Sequence, residues 1–377
     1  SAAASDEARV AGQATLALRH AERALEWHND ELPERLLLDG LAARGRARSA
    51  LSDGAAAARD LHAAAEGYGA CGEAEKRLAA SSGSASADWM LGRHDAAFRR
   101  LSASLSEDVE PQTPSPGRAE SLADAAGMAL ATGRVIDAGD LSERARSVAR
   151  ACGESAVASR SLVVATTARV LAVGRGDALA DFRRAAEEAS ADGNNRIVTL
   201  AAIHHSHALS LLGRPEDAAD EARAGATRAE ELGLSDHRLV LLGNLGEALV
   251  ECGRLADADD ALAAAAAGWR ELGREAPSPV DPARARLLLA RGLISDALRE
   301  YRSIRVSLGK DPLFEQLAPA AAGHALAAAT AGETREAERV ITRCLAAWQR
   351  SDDRLAIVPL LVAGAMIGSS GPPQTRC

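Results

Sequence analysis

A glycine recurs down this chain about every forty residues, and no other feature narrows its fold as much. It sits in "LGRHDAA" at Gly92, "TGRVIDA" at Gly133, "VGRGDAL" at Gly174 and "LGRPEDAA" at Gly213. It returns in "CGRLADAD" at Gly253, "RGLISDAL" at Gly292 and "AGETREAE" at Gly332. Successive steps are 41, 41, 39, 40, 39 and 40 residues. Gly54 in "LSDGAAAARDL", 38 residues before Gly92, reads as a weaker copy. A period in this range marks stacked repeats. One such unit cannot bury its apolar face alone, so neighbours must stack on it.

Local chemistry says what each copy does. Glycine takes the left-handed conformation that ends a helix without penalty. The Asp or Glu two to four residues later falls in the first turn of the next helix, where the helix dipole favours it. Pro215 fits that first turn too. A second glycine series marks the return turn: Gly72, Gly153, Gly193, Gly233, Gly273 and Gly309. Each unit therefore reads helix A, turn, helix B, turn, with helices of roughly 15–18 residues. Composition agrees. Alanine, the best helix former, is about a quarter of the 377 residues, and aromatics are 2%.

In the best copy the order is Leu242, Leu245, Gly246, Leu249, Gly253, Ala258, Leu262, Ala265. This resembles the tetratricopeptide signature, in which small residues lie where helices A and B cross closely. The expected fold is all-α: a right-handed superhelix of about eight to nine tetratricopeptide-like antiparallel helix pairs. Residues 1–367 form one array and 368–377 a flexible tail. Proline-rich 106–117 and 274–282 lengthen two B-to-A connections, and "SSGSASA" (81–87) reads as a weak helical stretch. The final helix is expected over about Asp352 to Ile367, without a partner after it.

The formal net charge is −9, with Lys76 and Lys310 the only lysines. Dispersed arginines on an acidic chain argue against direct nucleic-acid binding. No apolar run is expected to reach the length needed to span a bilayer. The start "SAAASDEARV" lacks a signal pattern and an initiator Met, which suggests a fragment. Cys71, Cys152, Cys252, Cys344 and Cys377 are widely spaced, without a C-x-x-C, and fit a reducing, cytoplasmic setting.

Degenerate forty-residue repeats with "GR…DA" turns and "ELG" ends resemble the helical-repeat region of large ATP-dependent, MalT-like LuxR-type transcriptional regulators of actinobacteria. The resemblance implies an inducer-sensing array between an ATPase and a DNA-binding domain. This chain carries no G-x-x-x-x-G-K-[ST] loop and no basic recognition helix, so no cofactor is expected within it. The competing reading is a stand-alone tetratricopeptide scaffold for another protein.

A helices line the concave face of such arrays. Counting six back from the turn glycines places His207, Glu247 and Arg286 there, in successive repeats. Counting three back gives Leu171, Ser210, Val250 and Leu289. Asn244 lies one turn from Glu247 and shares that face. An apolar groove with a few convergent polar groups suits a small-molecule inducer or a protein segment. "IHHSH" divides by register. His205 takes the core position of Leu245, as does His324, while His204 and His207, three apart, lean towards the groove. Too few donors converge for a metal. Trp89, Trp269 and Trp348 read as packing residues, Trp27 and His28 as an end cover. Glu187–Glu188 and Asp259–Asp260 read as solvated charge. No catalytic set stands out, and an enzyme is not expected.

Overall fold

The structure is a computed structural model, and it describes residues 13–26, 33–106, 114–174, 176–273, 280–308, 312–349 and 351–369. Trp27, His28, the centres of both proline-rich connectors, Gly309 and the chain after Ser369 lie outside the described residues. The described residues contain eighteen α-helices and no strand. In chain order they are α1 (Ala14–Glu26), α2 (Glu34–Ala50), α3 (Gly54–Ala70), α4 (Ala74–Met90), α5 (His94–Ser106) and α6 (Pro116–Ala131). Then come α7 (Val135–Cys152), α8 (Ser155–Val173), α9 (Ala180–Ala191), α10 (Asn195–Leu211), α11 (Pro215–Glu231) and α12 (Ser235–Glu251). The last six are α13 (Leu255–Glu271), α14 (Asp281–Ala290), α15 (Ile294–Ser307), α16 (Phe314–Thr330), α17 (Thr334–Trp348) and α18 (Val358–Ser369). Even numbers are A helices and odd numbers B helices, so this is an all-helical tetratricopeptide-like array.

The turn series is realised. Gly92, Gly133, Gly174, Gly213, Gly253, Gly292 and Gly332 all have positive φ, as do Gly72, Gly153, Gly193, Gly233 and Gly273. Gly54 is a correction. It opens α3 as a helical residue, and the left-handed position belongs to Ser52, at φ 62. Ser52 lies forty residues before Gly92, so the period holds one repeat further than glycine shows it. After Gly174 the chain enters a 3-10 turn, Gly176–Leu179, before α9 begins.

The chain forms two compact units, Ser1–Met128 with Arg144–Glu154, and Ala129–Glu143 with Ser155–Cys377. In the first, Leu61, Leu78 and Leu101 are fully buried. The "SSGSASA" stretch is regular helix within α4. Its small residues serve close approach: Ser84 Oγ donates to Ala58 O at 3.2 Å, and Ser82 Oγ donates to Asp124 at 2.7 Å.

In the second unit successive A helices touch: α8 with α10, α10 with α12, α12 with α14, α14 with α16, and α16 with α18. They form its continuous inner layer. At the α12–α13 crossing a methyl group on Gly246 would lie 2.4 Å from Leu262 Cγ, which is why that position is small. α8 is long and apolar enough to cross a bilayer, a length the sequence pattern was not expected to reach. It is instead a core helix, buried from Val157 to Leu171 along most of its length.

The last helix also differs from expectation. Residues 351–357 are not helical, and α18 starts at Val358. Pro359 falls in the first turn of α18, where its missing N–H has no intrahelical acceptor to lose. Residues 351–357 form a strap, whose contacts are described below.

Candidate functional site

The inner face of the second unit carries the groups that the register selects. Arg286 on α14 reaches back one repeat to α12. Its Nη1 lies 3.4 Å from Glu247 Oε1 and 2.9 Å from Glu251 Oε1. Glu251 was not selected from sequence, yet it is the nearer partner. The signal was available, since Glu251 stands four residues after Glu247, on the same helix face. Burial works against the charge of Arg286, but the two carboxylates hold its guanidinium above its ordinary value. Burial pushes the Glu251 carboxyl up, with Glu247 adding to the push and Arg286 opposing it. His207 on α10 is exposed and close enough to Glu251 to act on its carboxyl. His207, Glu247 and Arg286 thus share one stretch of the A-helix face, across three repeats.

The other selected residues sit differently. Asn244 Nδ2 donates to Ile203 O at 3.1 Å and to Ser206 Oγ at 3.0 Å, fastening α12 to α10. His204 Nδ1 lies 3.1 Å from Thr167 Oγ1, fastening α10 to α8. The Thr167 hydroxyl donates to Val163 O at 2.9 Å, so the imidazole is the donor to Thr167. Burial lowers the pKa of His204 to about 4, and the neighbouring imidazoles of His207 and His237 add to the shift. The ring is neutral at ordinary pH. His237 on α12 repeats the arrangement one repeat on, with Nδ1 2.6 Å from Thr199 Oγ1 of α10. Leu171 and Val250, 7% and 8% exposed, belong to the interior. Ser210 and Leu289 are half-buried.

His205 lies at the core edge, stacked on Phe182 with centroids 5.5 Å apart and 3.4 Å from Glu221. His324 is fully in the core, 2% exposed, with Nε2 2.9 Å from Glu336 Oε1. Trp269 is buried, and Trp348 Nε1 donates to Asp353 O at 3.0 Å. Among the described residues no three His, Cys, Asp or Glu side chains are grouped to hold a metal ion.

No family model matches this chain, and no curated protein matches it. Solved structures do resemble it. A Rap protein complexed with competence and sporulation factor superposes with a TM-score of 0.63 at 14% identity, over 91% of this chain and 94% of that one. The Rap conjugation gene regulator of plasmid pLS20, in complex with the Phr* peptide, gives 0.60 at 14% identity, over 98% and 95%. The apo quorum sensor NprR from B. thuringiensis gives 0.54 at 10% identity, over 92% and 97%. At these identities the likeness is one of fold. It places the chain in the architecture of tetratricopeptide-like helical-repeat proteins.

Proposed function

We propose that this chain is a non-enzymatic sensor module that holds an extended peptide segment against the A-helix face of its second unit. The observation that carries the reading is the row His207, Glu247, Glu251 and Arg286, exposed or half-exposed across three successive repeats. Partly solvated charges of opposite sign, spaced one repeat apart along an inner face, suit a ligand that runs across helices rather than one sunk in a single pocket. Two structures sharing the fold were solved with a peptide bound, which favours a peptide over a small inducer. The sensing module would belong to a LuxR-type, MalT-like regulator, whose ATPase and DNA-binding domains lie in other segments of the polypeptide.

Selection from a random peptide display library on the immobilised chain tests the binding reading. Enriched sequences should bind the wild type and lose at least about tenfold in affinity to His207→Ala/Glu247→Ala/Arg286→Ala, since about 1.4 kcal/mol of lost contact is tenfold. Equal binding to both proteins sinks the assigned face. A thermal shift from a metabolite panel with no peptide enriched would favour the inducer. Flanking codons lacking a Walker loop upstream and a helix-turn-helix downstream would remove the LuxR assignment and favour a stand-alone scaffold.

A further inference from the structure

The strap, residues 351–357, reaches turns far away in the sequence. Most left-handed turn glycines have open space where a side chain would go; Gly92, Gly153, Gly213, Gly253, Gly292 and Gly332 have nothing within 4 Å. Gly133 and Gly174 differ. A methyl group on Gly133 would lie 2.5 Å from Ser351 Oγ, and one on Gly174 would lie 3.3 Å from Leu355 Cδ2. The strap therefore lies across two successive A-to-B turns, some two hundred residues earlier in the chain.

Its polar atoms are matched to that place. Ser351 Oγ and Asp352 N both donate to Gly133 O, at 2.8 Å and 3.0 Å. The Asp352 carboxylate accepts from Val135 N and, at 3.0 Å, from Ile136 N. Those amides open α7, an eighteen-residue helix. They have no intrahelical acceptor, and the helix dipole favours an anion beside them. Leu355 packs against the core of the second unit. Asp353 accepts from Leu355 N at 3.1 Å and Ala356 N at 2.9 Å, which shapes the strap into a turn.

We propose that the Gly133–Ile136 turn, with the slot beside Gly174, is a docking cradle for an acidic peptide of the form Ser-Asp-Asp-x-Leu, and that the strap is its internal occupant, exchangeable for a partner's segment. The carbonyl of Gly133 reads the serine hydroxyl, the amides of Val135 and Ile136 read the second residue's carboxylate, and the slot takes the leucine. The cradle stands on its own chemistry, although His207 of the neighbouring face is close enough to act on Asp353 of the strap.

The test uses the full chain and a fluorescein-labelled peptide, Ser-Asp-Asp-Arg-Leu-Ala-Ile, followed by anisotropy. A site filled from within shows an affinity reduced by the fraction of time it stands empty. Asp352→Ala/Leu355→Ala should therefore bind the peptide at least about tenfold tighter than the wild type. Adding Val135→Pro to that variant should abolish the gain by removing one donor amide. Pro215 occupies the equivalent position after Gly213, so the fold accepts proline there. A scrambled peptide should not bind. The Glu247→Ala/Arg286→Ala protein should bind the strap peptide like the wild type, which separates failure here from failure of the proposed function. If the folded strap variant binds no tighter than the wild type, or Val135→Pro changes nothing, the strap is a fixed structural closure and the proposal fails. Should the strap variant not fold, a photo-crosslinking form of the peptide in excess on the wild type decides: adducts at 133–136 support exchange, and their absence overturns it.

Discussion

The two units stack the same forty-residue helix pair but fasten it with different chemistry. In the first, charges do the fastening. Asp60, 6% exposed, takes Arg44 at 2.7 Å and Arg48 at 2.8 Å. Asp39 takes Lys76 Nζ and Tyr68 Oη, both at 2.6 Å. In the second, ion pairs such as Arg196 with Asp236 stand beside neutral pairs where successive A helices meet: Thr167 with His204, Thr199 with His237, and Ser206 with Asn244. The neutral pairs lie 37 or 38 residues apart, about one repeat. A buried ion costs much desolvation and is kept only if fully matched. A hydroxyl and a neutral imidazole cost less to bury and need one partner each. The ions of the second unit, Arg286 with Glu247 and Glu251, stay partly solvated on its A-helix face.

Asp60→Ala should break the comparison most severely. It leaves Arg44 and Arg48 part-buried without their acceptor, and a cost of about 3–5 kcal/mol is expected. Urea unfolding of the variant measures it; a loss under about 1 kcal/mol would mean that the ions fasten nothing.

Acid should act on the second unit through its imidazoles. The folded-state pKa of His204, about 4, lies below the ordinary 6.5. Between those values the unfolded chain binds a proton that the folded chain refuses. Stability is therefore full above about 6.5 and falls as pH is lowered towards about 4. His237 and His324 are shifted in the same direction, both chiefly by burial. His204→Gln should flatten part of the slope in urea midpoints taken across this window. An unchanged slope would remove His204 from the account.

Asn244→Ala deletes two hydrogen bonds between α12 and α10, and about 1 kcal/mol should be lost, read as a lowered thermal midpoint. The smallest stability effect belongs to Arg286→Ala. Its side chain is 42% exposed, so its pairs with Glu247 and Glu251 are worth roughly 0–1 kcal/mol. The same variant should weaken binding of a peptide selected on the wild type. A variant that lost stability but kept the peptide would reverse the assigned role.

Part of the candidate face was legible in register. Counting back from turn glycines selected Glu247 and Arg286, whose side chains lie 3.4 Å apart, and His207 on the preceding A helix. The same counting put Asn244 and His204 on that face but could not show what they do. Each sits where neighbouring A helices meet, and which residues meet depends on the rotation between repeats. Leu171 and Val250 sank into the interior for the same reason. Ser52 escaped notice because only glycine advertises a left-handed turn, although serine can be held there when the flanking helices require it.

The sequence by itself determined the period, the pairing of helices and nearly every turn. These are local properties: a left-handed residue, an acidic first turn and a small residue at a crossing each act within a few residues. Only the tertiary structure decided what happens between distant repeats. Asp352 caps a helix that begins at Val135 because the small rotations from repeat to repeat add up within the second unit. They bring residue 352 to residue 135, and no single repeat contains that sum.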